Sequence, residues 1–115
     1  MRELWRYGGV MQGYQLTFYT LRDRRQDDMP IADWLMQEAK ALGIPGATMA
    51  TTLQGFGRDG ELHSWRFFEL TGQPVVVTMA LTSEQAERLL GHMREANVNI
   101  FYIRTPVEFG MSAEP

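Results

Sequence analysis

The chain has 115 residues, 44% hydrophobic and 22% charged, enough apolar material for one domain with its own core. A formal net charge of -3 gives no general pull toward nucleic acid or anionic lipid. With no cysteine, disulfides, thiolate nucleophiles, iron–sulfur clusters and cysteine–zinc sites are all excluded.

Residues 1–13 mix Trp5 and Tyr7 with Arg2, Glu3 and Arg6, and lack the continuous apolar stretch of a secretion signal. No apolar run nears the ~20 residues of a membrane span. The expectation is a cytoplasmic protein with no direct membrane insertion. Residues 1–13 read as an N-terminal extension, 14–107 as the domain and 108–115 as a C-terminal tail.

Tyr14–Leu21 (YQLTFYTL) is rich in aromatic and β-branched residues, which predicts a strand. Asp27, Asp28 and Pro30 then read as a helix opening. Ile31, Trp34, Leu35, Ala39 and Leu42 follow at helical spacing, and Gly43 and Pro45 stop the helix. Residues 46–56 (GATMATTLQGF) read as a second strand, with Ala47, Met49, Thr51 and Leu53 on one side. Residues 57–60 form a turn, and 64–70 (SWRFFEL) an extended arm that folds back as a hairpin. Val75–Leu81 is the most apolar strand and is therefore predicted to be central. Thr82 with Gln85 makes a capping box for a second helix, whose inner stripe is Ala86, Leu89, Leu90 and Met93. A last strand, Ile100–Thr105, ends at Pro106.

The order βαβ(β)βαβ predicts an α+β, ferredoxin-like βαββαβ sandwich with an extra hairpin arm. Two helices cover only one face of a four-stranded sheet. Yet apolar residues fall on both parities: Leu16 and Phe18 against Tyr19 and Leu21, and Phe101 and Ile103 against Ile100 and Tyr102. The second face needs a cover, either further copies of the chain or the N-terminal extension, and a homo-oligomer is the simpler answer.

Residues 43–63 (GIPGATMATTLQGFGRDGELH) resemble the PII nitrogen-regulatory proteins at the base of their long T-loop. The GATxxxxxxGFG…H spacing is similar also to the PII-like family known as domain of unknown function 190. The resemblance spans about Tyr14 to Val107. It implies a signalling or regulatory protein without catalytic activity: a homotrimer with its sheets facing one another. An effector such as ATP, ADP or AMP would lie between subunits, and a partner, such as a membrane transporter or an enzyme, would be met through residues 57–73. By position, Thr48, Gly55, Gly57, Arg58 and Arg104 match the nucleotide contacts. The chain also departs from these families. Residues 93–99 hold no lysine where PII proteins carry a glycine- and lysine-rich phosphate loop, and 57–73 contain no tyrosine. Thr78 stands where the PII-like family often has a glutamate, and Arg22 and Met29 replace an acid and a lysine.

Taken from the residues alone, Gly55 and Gly57 either let the backbone approach an anion or simply serve a bulge and a turn. Arg58 either offers donors to phosphate or carboxylate or is simply solvated. His63 is a ligand contact, a pH-sensitive group or a loop residue. Arg104, a strand arginine among Tyr102 and Ile103, must be edge-exposed, paired or bound to something. Arg22, Arg24 and Arg25 form either a phosphate- or partner-facing turn or a solvated connection. With only two histidines and no cysteine, no nucleophile–base pair is evident. The alternative function is a metal-binding trimer, with His63 repeated about the axis, or a small ferredoxin-like enzyme.

Overall fold

The computed structural model describes residues 9–52, 54–56, 62–64 and 72–113. Strand β1 (Met11–Leu21) leads through a short ribbon, β2 (Arg25–Gln26) and β3 (Met29–Pro30), into helix α1 (Ile31–Ala41). Strand β4 (Ala47–Thr51) is followed by a second ribbon, β5 (Gln54–Phe56) with β6 (Leu62–Ser64). Strand β7 (Pro74–Leu81), helix α2 (Ser83–Glu95) and strand β8 (Phe101–Phe109) complete the order. The main sheet has four strands in the order β4-β7-β1-β8, every pair antiparallel. This is the α+β, ferredoxin-like arrangement expected from the sequence, with the apolar β7 in the interior of the sheet.

Pairing fixes the faces, because directly opposite residues share a side. Leu16 lies opposite Met79 and Arg104, and Phe18 opposite Val77 and Tyr102. That face carries the helices, and Leu16, Phe18, Val77 and Leu81 are fully buried there. From α1 it meets Ile31, Ala32, Trp34, Leu35 and Ala39; from α2, Ala86, Leu89, Leu90 and Met93. Thr82 and Gln85 form the reciprocal capping box at the start of α2. Gly43, at φ 74, ends α1 in the conformation that glycine tolerates best.

The other face has no covering element among the described residues. Tyr19, Phe101 and Ile103 stand on it 41%, 61% and 46% exposed. The Tyr19 and Phe101 rings lie 5.7 Å apart across the strand pair. A row of Thr48, Thr78, Thr17 and Ile103 crosses the same face, with the Thr78 hydroxyl 3.5 Å from that of Thr17.

Four sequence expectations are revised. Asp27 and Asp28 do not open α1; at φ 51 and 64 they form the two-residue turn between β2 and β3. Residues 46–56 are not one strand. β4 runs out of partner once the Thr52 N–H donates to the Pro74 carbonyl at the head of β7, and β5 turns away to pair with β6. β8 does not stop at Pro106, since an edge strand accommodates a proline whose missing N–H faces outward. Nor does the sheet stop at 14 and 107, because Met11–Gly13 pair with Val107–Phe109. Trp65, Phe67 and Phe68 of the expected aromatic arm lie outside the described residues.

Gly13 sits where no side chain fits. A Cβ there falls 2.2 Å from the Leu81 carbonyl oxygen and 2.8 Å from the Phe109 ring. Gly13→Ala is therefore expected to destabilise the protein by about 1–3 kcal/mol, through forced separation of β1 from its neighbours. At Gly91, inside α2, the nearest atom to a Cβ is Arg94 Nη2 at 3.8 Å, and Gly91→Ala should stabilise by up to ~1 kcal/mol. Urea denaturation of the two variants checks both signs, and equal stability of Gly13→Ala and wild type would contradict the packing described.

Candidate functional site

The topology gathers several connections at one end of the sheet. β1 and β4 end there, β7 and β8 begin there, α1 starts there and α2 finishes there. Hydrogen bonds stitch these connections side by side. The Thr52 N–H donates to the Pro74 carbonyl at 3.1 Å, and the Arg22 N–H to the Gln73 carbonyl at 2.8 Å. The Ile31 N–H donates to the Arg24 carbonyl at 2.7 Å, which sets the first turn of α1 against the turn after β1. Asn97, at φ 57, closes α2 and sends the chain toward β8.

Gly55 and His63 are brought together, directly opposite one another in the β5–β6 ribbon that rises from this end. Gly57 and Arg58 lie outside the described residues. Thr48 is exposed on the open face of β4, opposite Thr78. Arg104 is elsewhere: it belongs to β8, at the far edge of the sheet, and lies opposite Leu16 on the helix-bearing face. Its Nη1 donates to Glu87 Oε1 of α2 at 3.0 Å, and its guanidinium lies 4.6 Å from the centre of the Tyr14 ring. The hydrogen bond to Glu87 is the largest cause raising the Arg104 pKa above the usual arginine value. Of the three fates open to a strand arginine, Arg104 is paired.

Thr48 and Arg104 are thus separated by three strand spacings, about 14 Å, and by the sheet itself. One protomer does not close both on a single small ligand. A second copy, bringing its β8 edge to the β4 side of the first, is required for a joint site.

Sequence reading singled out Arg22, Arg24 and Arg25 but not the acceptors that order the turn after β1. Arg22 Nε donates to Gln73 Oε1 at 2.8 Å, and Gln73 is buried. Arg24 Nη2 donates to the Asn99 carbonyl at 3.0 Å, while Arg25 bonds the Asp28 carbonyl within its own ribbon. Gln26 Nε2 reaches the Ala96 carbonyl at 3.4 Å. The arginines are plain in the sequence, but their acceptors are backbone carbonyls and a glutamine 51 residues away, for which no pattern exists.

Comparison with known proteins agrees with this architecture. The profile of the DUF190 family, described as "Uncharacterized ACR", matches residues 13–109. A UPF0166 protein of Aquifex aeolicus (strain VF5) is 29% identical over 86 residues, 74% of this chain and 82% of that protein. Among solved structures, a PII-like protein from Thermus thermophilus superposes with a TM-score of 0.66 at 18% identity, covering 88% of this chain and 92% of that one. CPII, a nitrogen regulatory PII-like protein from Thiomonas intermedia K12, bound to ADP, AMP and bicarbonate, superposes with a TM-score of 0.68 at 13% identity, over 90% and 93% of the two chains. At such identities the superpositions establish the fold.

Thr20, two residues before Arg22, is 7% exposed, and among the described residues its hydroxyl oxygen has no hydrogen-bond partner. Replacing a buried, unbonded hydroxyl by a methyl group of the same shape removes a desolvation penalty. Thr20→Val is expected to raise stability by about 1 kcal/mol in thermal unfolding. A loss of stability would show that the hydroxyl holds a partner after all.

Proposed function

The chain belongs to the DUF190 family, and on that basis we propose that it is a PII-like regulator that works by binding and not by catalysis. In this reading it is a cytoplasmic homotrimer. It takes an adenine nucleotide (ATP, ADP or AMP) in the clefts between subunits, and meets a membrane transporter or an enzyme through residues 57–73. The domain proper spans the sheet from Met11 to Phe109, wider than the 14–107 expected from the sequence, with the residues on either side as its appendages.

The open sheet face carries the reading. Exposed Tyr19, Phe101 and Ile103 form an apolar patch on a sheet whose two helices both lie on the opposite side. Facing copies of the same sheet remove that surface from water, at a gain of ~25 cal/mol per Å² of apolar area. The same association brings the β4 edge of one chain, with Thr48 and the Gly55–His63 ribbon, to another chain's β8 edge with Arg104. Their wide separation within one protomer means that joint use requires this association. The nucleotide is suggested by CPII, which was solved with ADP and AMP on the same fold.

Light scattering at micromolar concentration should give a mass three times that of the chain. Phe101→Asp with Ile103→Asp should reduce it to a monomer that remains folded, because both side chains are exposed in the protomer. Calorimetry should then find saturable ADP or AMP binding to the wild-type trimer and none to the monomeric variant. A wild-type monomer would refute the assembly, and a trimer binding none of ATP, ADP and AMP would refute the nucleotide.

A further inference from the structure

Resting on the nucleotide reading, we infer that the turn after β1 is the phosphate subsite, and that Arg22 and Arg24 are the residues that hold the phosphate chain.

The arginines differ in the charge they keep. Arg88 lies 3.5 Å from Glu84 and Arg104 3.0 Å from Glu87, so each already faces a carboxylate on α2. Lys40 is in the last turn of α1, at the other end of the sheet. Arg22 and Arg24 differ in kind. Each is anchored by an uncharged acceptor, Gln73 Oε1 for one and the Asn99 carbonyl for the other. Among the described residues neither makes an ion pair. A guanidinium held by a carbonyl oxygen keeps its full positive charge and most of its five donors. Arg22 uses Nε–H and keeps both Nη groups, the planar fork that fits two phosphate oxygens. Arg24 uses one N–H of Nη2.

The anchors also place the two groups together. Gln73 is the residue before β7, and Asn99 lies two residues before β8. β1 runs between these two strands, so both arginines reach outward from its end to its two neighbours. Both anchor points are at the end of the sheet from which the β5–β6 ribbon leaves. Asp23, between the two arginines, is exposed and among the described residues makes no ion pair with either. Asp27 and Asp28 share the connection but occupy the ribbon tip, where Arg25 is turned back on the Asp28 carbonyl. Arg25 is therefore left out of the subsite. Holding long side chains in place before the ligand arrives lowers the entropic cost of binding. The segment 93–99 contains no lysine, and its Arg94, in the last turn of α2, makes no side-chain hydrogen bond or ion pair among the described residues, so it lacks the fixed position of Arg22 and Arg24.

The test is calorimetry at fixed ionic strength with ADP, AMP, adenosine and inorganic pyrophosphate. It compares wild type with Arg22→Gln, Arg24→Gln, the double variant, and Arg88→Gln as a control at the other end of the sheet. Each single change should weaken ADP roughly tenfold or more, as expected for a lost hydrogen bond to a charged group. The double variant should lose pyrophosphate binding, adenosine should be unaffected throughout, and Arg88→Gln should match wild type. Arg24→Lys, which keeps the charge and disturbs the turn least, should fall between wild type and Arg24→Gln; melting curves confirm that each variant is folded. Wild-type binding of ADP with a double variant within twofold of it overturns the subsite and leaves the nucleotide reading intact. Binding of pyrophosphate but not of ADP or adenosine, lost in the double variant, supports the subsite and overturns the nucleotide. A wild-type protein that binds none of the four overturns both.

Discussion

The rest of the structure depends on an imbalance of cover: a four-stranded sheet with two helices, both on one side. The alternation of the strands places Leu16, Phe18, Val77, Met79 and Leu81 against α1 and α2, and that layer is closed. The same alternation drives Tyr19, Phe101 and Ile103 to the other side, where the described chain offers nothing to meet them. Complete burial of a large apolar side chain is worth ~1.5–3 kcal/mol. Tyr19, Phe101 and Ile103 are 41%, 61% and 46% exposed in the protomer, so covering them recovers about half of that each. The open face is not uniformly apolar, since the Thr48, Thr78 and Thr17 row crosses its middle. Threonine in a strand presents a methyl and a hydroxyl, so the band packs while still asking for hydrogen bonds, which favours one register of association over sliding.

Connectivity explains why the candidate residues gather where they do. In this order each helix carries the chain back along the sheet, so β1 and β4 finish at the same end, and β7 and β8 start there. Where the described parts of these connections leave strand or helix, their backbone polar groups must find partners. Arg24 and Gln26 supply them by bonding the Asn99 and Ala96 carbonyls, and the Arg22 backbone N–H bonds the Gln73 carbonyl while its side chain holds the Gln73 side chain. The bonds that tie the fold's loose ends together are thus the same bonds that set the guanidinium groups in place. A surface that needed order for structural reasons acquires a fixed arrangement of charge.

Elements whose signal is local were legible in the sequence. The α2 capping box and stripe, the stop at Gly43 and the inner position of β7 follow from spacing and end chemistry. The two-faced strands were legible too, because parity is a property of the sequence. What failed depended on a neighbour. Asp27 and Asp28 satisfy the rule for a helix start and also that for a two-residue turn; only the pairing of Arg25 with Pro30 decides between them. Pro106 reads as a strand end unless β8 is known to be at an edge. Of the candidate site, glycines and charged residues could be picked out, but not their grouping. Arg104 reads as available until Glu87 of α2 is found beside it, while Arg22 and Arg24 read equally well as solvated links until their anchors are known.

The edges of the sheet bear on the form that association takes. β4 is only five residues long, and its chain departs into the β5–β6 ribbon, so it gives little room for another strand. β8 is longer, with nine residues, but it carries Pro106, and Arg104 reaches from it to Glu87 at the helix-side rim. Short edges, prolines and charges are the features that discourage strand addition. Both edges are thereby poor at extending the sheet, while the face between them carries exposed apolar side chains. A face of exposed apolar side chains between two poor edges favours contact through the face over strand addition.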